Sequence, residues 1–411
     1  MTGVAACLWL LALRPVAADP PLTREQCIDV VLRTSPLVRA AIEQQHAAEA
    51  RVSSTMALPL PVVSFDSDLQ PRPFDFANSG ESYFGISQAF ELPNRRRARK
   101  AVAAREVDQA LTDTDLVRLE LRFEVTQAFD ALLLAKEQLA YAEQDLALSR
   151  DFVAKTETKF GAGDIAEVEL IRARVEAAQA ERTVRLAASQ VARARSALNV
   201  LMVRPSGAPL EVTGSLTQPR LDLDLSRLRE AALTSRPEAR RARLDVDRRR
   251  LERRVAGLIN VPDLEVGFAS HRIEGDRTWW DVTLSATVPV FWWQARKGPV
   301  AEADALVRAA ALELEHVQTR IRAEVDQAHL GVVTSRAQTE LYERDILGPA
   351  TRVYDMLLFS YQQGELSGIE LIDARRTLAA ARQGYAEAQF EHQLALALLE
   401  RSVGQALREP E

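Results

Sequence analysis

The chain has 411 residues, of which 47% are hydrophobic, 27% charged and only 6% aromatic, with a formal net charge of −6. This is the composition of a folded protein rich in alanine helix, and its acidic balance gives no electrostatic case for nucleic-acid binding. The length could hold two or three domains, yet no Gly/Ser- or Pro-rich linker divides it.

Residues 1–18 read as a secretory signal peptide: an apolar stretch from Val4 to Leu13, then Val16-Ala17-Ala18 before Asp19. Ten apolar residues are too few to cross a bilayer. Val4-Ala-Ala-Cys7 resembles a lipoprotein cleavage box, but cleavage there would leave Leu8 to Leu13 as a greasy mature N-terminus. With the signal removed, Cys27 stands alone and no internal disulfide can form.

One pattern then occurs twice, over 19–203 and 224–407, joined by a linker at 204–223 and followed by a tail at 408–411. Glu124-Val-Thr-Gln-Ala128 matches Glu324-Val-Asp-Gln-Ala328, and Phe160-Gly-Ala-Gly-Asp164 matches Tyr361-Gln-Gln-Gly-Glu365. Leu170-Ile-Arg-Ala-Arg174 matches Leu371-Ile-Asp-Ala-Arg375, and the offset drifts from 200 to 201. One structural unit has been copied and packed against itself. Two near-equivalent halves suit a single active site poorly, so no enzyme is expected.

Each copy reads as helix, β-hairpin, then long helical hairpin, with β-hairpins at 62–92 and 262–290 and helical hairpins at 98–203 and 298–407. The hairpins show period-two alternation. Val63, Phe65 and Leu69 share one parity, as do Phe84, Ile86 and Phe90; in the second copy Leu264, Val266 and Phe268 do so, then Trp280, Val282 and Leu284. The alternate positions carry Ser64, Asp66, Asp68, Glu265, His271, Asp281 and Thr283. Strands of about ten residues, apolar on one face and hydrophilic on the other, fit a lipid-facing barrel with a wet interior. Pro61, Pro93, Pro262 and Pro289 stand where helix and strand meet, as a residue that can neither donate to a ladder nor continue a helix should.

Between Ala98 and Thr158 no Pro or Gly occurs, and Val125, Leu132, Leu139, Leu146 and Val153 recur every seven residues beside Ala128, Ala135 and Ala142. This predicts a coiled-coil heptad with one column of small residues, repeated as Val325, Val332, Thr339, Ile346 and Val353 and bent at Gly348-Pro349. Turns are expected at Gly161 to Gly163 and Gly364 to Gly368, with Asp164 as N-cap and Glu167 in the capping-box position. Trp279, Trp280, Trp292 and Trp293 cluster around the fourth strand, the latter pair suiting either an interfacial girdle or packing on the helices, and Arg95 to Arg97, Arg99, Lys100, Arg296 and Lys297 form a basic collar.

The fold class is therefore mainly α with a small β part. Four strands in lipid leave two unpaired edges, at several kcal/mol per orphaned backbone group, so closure needs further copies of the chain. Three would supply twelve strands, a workable even number.

The tandem repeat, Thr34-Ser-Pro36 with Thr234-Ser-Arg-Pro237, the Gly-bearing turns, and Leu371-Ile-Asp-Ala-Arg-Arg-Thr377 followed by Tyr385 and Leu399 together resemble the TolC-like outer-membrane efflux factors. Phe90-Glu-Leu-Pro-Asn-Arg-Arg-Arg97 is similar to a segment of the CzcC and CusC metal-efflux branch, with Asn94-Arg95-Arg96 where Gly-Lys-Arg is usual. The resemblance implies a homotrimer in the outer membrane of a Gram-negative bacterium, whose twelve-stranded transmembrane β-barrel continues into a long α-barrel across the periplasm. It implies partners too: a periplasmic adaptor at the helical tips and an inner-membrane transporter, the resistance-nodulation-division type being expected.

His46, His271, His316, His329 and His392 are scattered, so neither a metal site nor a cofactor is expected. The expected working residues are at the tips, for docking and gating: Phe160, Gly161, Gly163, Asp164, Glu167 and Glu169 in the first copy, and Tyr361, Gly364, Glu365, Gly368, Glu370 and Asp373 in the second. Asp164 and Glu365 read as helix caps, and Asp373 as the candidate for a constriction, where the first copy has Arg172. The function read from the chain is an exit duct for drugs or heavy-metal cations; type I protein secretion and a structural coiled-coil scaffold are the alternatives.

Overall fold

Thr23 opens the first helix with a reciprocal capping box to Gln26, and Ser35-Pro36 breaks it and starts the next, proline occupying the first helical position where its missing N–H costs nothing. The structure, a computed structural model, describes residues 20–68, 71–74, 76, 80–217, 223–273, 277–288, 290–363 and 365–407. The expected signal at 1–18, the tail at 408–411, and Leu69, Pro289 and Gly364 lie outside the described residues.

In the first copy α1 (Arg24–Thr34) and α2 (Pro36–Met56) lead into β1 (Val62–Asp68), β2 (Glu81–Phe90), α3 (Pro93–Ala162) and α4 (Glu167–Leu201). The second copy repeats the order as α5 (Leu225–Ser235), α6 (Pro237–Gly257), β3 (Leu264–Ile273), β4 (Arg277–Ala286), α7 (Trp292–Leu341), a π turn (Tyr342–Leu347), α8 (Gly348–Gln363) and α9 (Gly368–Val403). At 1.5 Å per residue, the 70-residue α3 is about 105 Å long. Pro93 is its first residue, so the helix begins five positions earlier than periodicity suggests.

Each copy has a core of its own among its helices. Cys27, Ile28 and Val31 of α1 pack with Val125, Phe129 and Leu132 of α3, Leu198 of α4, and Leu210 and Val212 of the connecting segment. The second copy builds the equivalent core from Leu228, Ala232, Val317, Ile321, Val325, Leu396, Leu399 and Val403. Farther down the hairpins the seam narrows. The heptad reading is corrected here: Leu139, Leu146 and Val153 are half-buried, while Ala135, Ala142, Ser149 and Thr156 form the buried column. On α4, which packs along α3, Ala173, Ala180 and Ala187 are buried at the same spacing, and α9 buries Ala374, Ala381 and Ala388. Small side chains on both partners let the helix axes approach closely, and nearer the tip a third core of Tyr354, Tyr361, Leu371 and Leu378, with Leu148 and Phe152 of α3 packed against it, holds the second hairpin on the first.

Burial pushes the Cys27 thiol up to about 11, against the opposing charge of Arg204. Since the thiolate is the reactive form, Cys27 should resist maleimide at pH 8 in the folded protein and react within minutes once it is denatured. Fast labelling of the native protein would mean that α1 is not seated as described.

Arg236, at the α5–α6 break, is buried and bridges Glu238 (2.6 Å), Glu324 and the carbonyl of Ser402 (3.5 Å). Burial draws the Glu238 carboxyl upward, but the hydrogen bond and charge of Arg236 win and hold it below its usual value of 4.5. A carboxyl lowered on folding stabilises above its unfolded value and loses that contribution as pH falls through the lowered one. The unfolding temperature should therefore be flat from pH 7 to 5 and drop below about pH 4.5, with Glu238→Gln removing part of the drop.

Candidate functional site

The four strands form one antiparallel sheet in the order β1-β2-β3-β4, so the two copies are joined by the β2–β3 ladder. Register lines the predicted lipid-facing residues into rows. Val63, Ile86, Phe268 and Val282 lie side by side, as do Phe65, Phe84, Ser270 and Trp280; Gln88, Val266 and Leu284 form a third row, and Phe90, Leu264 and Ala286 a fourth. All the large apolar side chains among them are exposed, reaching 73% for Val282 and 74% for Leu284. No monomer in water leaves such a band uncovered without cost. Ten-residue strands rise roughly 33 Å, or about 25 Å when tilted as in a barrel, which matches the apolar height of an outer membrane.

The opposite face is wet. Its rows read Ser64, Gly85, Ala269, Asp281 and Asp66, Tyr83, His271, Trp279, so Trp279 does not share the lipid face with Trp280. The His271 ring stacks on Tyr83 at 3.8 Å, with Glu81 and Asp281 at 3.8 and 3.9 Å from its two nitrogens. Small residues line the middle of this face; a Cβ on Gly85 would come within 3.1 Å of Ser64 Oγ and 3.3 Å of Ala269 Cβ. The outer edges of β1 and β4 have no strand beside them among the described residues.

At the far end of the helices lie the tips. Gly163 takes the left-handed conformation (φ 84°), with its N–H on the Phe160 carbonyl and that of Asp164 on Lys159. This closure corrects the capping expectation. Asp164 terminates α3, and Glu365, whose N–H bonds to Ser360, does the same for α8; the residues before α4 and α9 are Ala166 and Ser367, neither with a side-chain cap bond. Glu167 is consequently the first residue of α4 and makes no capping box.

Phe160, Gly161, Asp164, Glu167, Glu365, Glu370 and Asp373 are exposed, and Glu169 is half-buried. None of these acids has a cation within 4.0 Å among the described residues. Tyr361 is different: it is 3% exposed, with its ring 5.4 Å from Phe152 and under the Lys159 ammonium at 4.2 Å. It ties the two hairpins together instead of offering its ring outward. Gly368 is also buried, because Phe152 lies where a Cβ would be, 3.0 Å away.

Sequence reasoning missed the group that joins the hairpins above the tips. Buried Arg375 of α9 reaches Asp145 (2.9 Å) and Ser149 of α3 and Glu176 of α4 (2.9 Å), while Arg376 also pairs with Glu176. Burial raises the Asp145 carboxyl above its usual range, against the pull of Arg375. The available signal was two adjacent arginines on a helix whose neighbouring seam residues are leucine and alanine, Leu371, Ala374, Leu378 and Ala381. No group of three or more His, Cys, Asp or Glu is placed to hold a metal ion among the described residues, and no described helix is long and apolar enough to cross a membrane.

The model of the family "Outer membrane efflux protein" matches residues 27–202 and 228–405, most of the chain and both copies. The protein belongs to that family. Membership places it in the outer membrane, extending into the periplasm, as an efflux channel. The family's cobalt-zinc-cadmium resistance protein CzcC of Cupriavidus metallidurans is 24% identical over 379 residues, covering 90% of this chain and 87% of CzcC. The toluene efflux pump outer membrane protein TtgF of Pseudomonas putida is 23% identical over 386 residues, covering 89% and 79%. Among solved structures, CusC superposes with a TM-score of 0.78 at 18% identity over 96% of both chains.

Proposed function

We propose that three copies of this chain close a twelve-stranded barrel and a continuous helical barrel beneath it, forming the exit duct of a tripartite efflux pump. The observation that carries this reading is the sheet: four rows of exposed apolar side chains on one face, a hydrophilic face behind them, and an open edge at each end. Backbone groups on those edges would be unsatisfied in hydrocarbon, and pairing β4 of one copy with β1 of the next removes the cost around a closed ring.

The exposed acids at the tips would meet a periplasmic adaptor, which links the duct to an inner-membrane transporter of the resistance-nodulation-division type. Asp373, exposed one turn beyond Glu370, would narrow the closed mouth. The duct holds no cofactor and performs no catalysis. Heavy-metal cations are the cargo favoured over drugs. CzcC, a metal-resistance protein, aligns along nearly the whole chain, and the wet face carries Asp66, Asp68, Glu81, Glu265 and Asp281.

Deleting the gene should raise sensitivity to cobalt, zinc and cadmium, with restoration by the wild-type copy. A strain that loses tolerance only to solvents and dyes would move the cargo to the drug class, and one unchanged on both would contradict the efflux role.

A further inference from the structure

Both long helices leave the sheet through a cluster of cations that the fold itself neutralises only in part. Ala98-Arg99-Lys100 of α3 recurs as Ala295-Arg296-Lys297 of α7, and no acid precedes Glu106 in α3 or Glu302 in α7. Cations near a helix N-terminus oppose the helix dipole, so helix stability does not explain them. Some are used inside the protein: Arg95 reaches Asp263 at 3.2 Å, Arg99 pairs with Glu91, and Arg96 donates to the Met56 carbonyl. Arg97, Lys100, Arg296 and Lys297 are exposed instead, and none has a carboxylate within 4.0 Å among the described residues. Exposed Arg254, in the last turn of α6 before β3, adds a fifth.

The cluster adjoins the apolar band. Beyond the lipid-facing rows, on the helix side, exposed apolar surface continues through Leu60, Val288, Val290, Phe291 and Trp293, each more than half exposed. The rings of Phe291 and Trp293 meet edge to face at 5.7 Å. Arg296 and Lys297 stand three and four residues after Trp293, and so share its face of α7. Four helical residues rise about 6 Å, which sets Arg97 and Arg296 that far past the first residues of their helices. The polar layer between hydrocarbon and water is about 6 Å deep in each leaflet, so lipid phosphates fall level with these guanidiniums. The flexible stems of Lys100 and Lys297 reach back to the same plane.

We propose that this collar binds the headgroups of anionic phospholipids in the periplasmic leaflet of the outer membrane and so fixes the depth of the barrel. The helices extend into the periplasm, which makes that leaflet the one they leave. A phosphodiester supplies what the collar lacks, a fixed negative charge with two acceptor oxygens, which a guanidinium can engage in parallel. A zwitterionic headgroup brings its own ammonium to a surface already cationic. Net headgroup charge therefore decides the choice of lipid.

The test is the full-length oligomer reconstituted in phosphatidylcholine vesicles, with spin-labelled phosphatidylglycerol or phosphatidylcholine as the probe. At low salt the wild type should immobilise phosphatidylglycerol about fivefold more strongly, a preference that shrinks several-fold in about 0.5 M salt. Combining Arg97→Gln, Lys100→Gln, Arg296→Gln and Lys297→Gln should bring the two lipids to within about twofold of parity, with the same oligomer recovered. Arg272→Gln, at the far end of β3, should keep the full preference. Inorganic phosphate added at constant ionic strength should not compete, which separates a lipid headgroup from the free ion. Equal immobilisation of both lipids by the wild type overturns the proposal whether or not the combined variant assembles. So does an undiminished preference in that variant, or displacement of the lipid by phosphate.

Discussion

Replacing Val282 by Arg should abolish outer-membrane assembly. Val282 sits in the middle row of the apolar face beside Phe268, Ile86 and Val63, with its side chain directed at the proposed hydrocarbon. An arginine at the midplane of a barrel costs about 2–4 kcal/mol. Three copies in one ring would cost about 6–12 kcal/mol, comparable with the whole stability of many folded proteins. Ser285→Arg is the matched control, three residues along on the wet face and opposite Glu265. The Val282 variant should lose its heat-modifiable oligomer from the membrane fraction while the Ser285 variant keeps it. Equal assembly of the two would mean that the apolar rows do not face lipid.

Removing the charge at Arg375 should loosen the joint between the hairpins by about 3–5 kcal/mol, the usual cost of leaving a buried charge without its partner. Arg375→Met takes a guanidinium from both Asp145 and Glu176, of which Glu176 is itself buried. Glu176 keeps Arg376, whose side chain is 56% exposed and screened by solvent, so that pair compensates only in part. Amide exchange in α8 and α9 should rise by about two to four orders of magnitude. Adding Asp145→Asn and Glu176→Gln should recover most of the loss, since neutral amides cost far less to bury than unpaired carboxylates. A variant with native exchange would reduce the cluster to an ornament of the surface.

The strands were legible in the sequence because period two separates their faces cleanly: Phe84, Ile86 and Phe90 fall on one side and Tyr83 and Gly85 on the other. That alternation holds within each strand, whatever its neighbours. The pairing of β2 with β3 across almost two hundred residues is a long-range fact that no local pattern encodes. The turns were located by Gly163 and Gly368, but their capping was misread. Asp164 has the chemistry of an N-cap and Glu365 the charge that suits a helix N-terminus, yet both close the preceding helices and stand two residues before the positions that start the next, Ala166 and Ser367. Tyr361 reads as a surface aromatic from its place near a turn, and only its neighbours Phe152 and Lys159 on the other hairpin bury it. Proline alone pointed to an irregularity at Gly348-Pro349, and the helix is irregular just before them, in the π turn Tyr342–Leu347.

The central claim is that the two open edges of the sheet find partners in other copies within the outer membrane. Hydrogen exchange of the backbone amides of β1 and β4, measured on particles extracted from the outer membrane with their mass determined in parallel, tests it most directly. Three chains per particle, with both edge strands as protected as β2 and β3, is the predicted result. A one-chain particle whose β1 and β4 amides exchange as fast as a surface loop would contradict it.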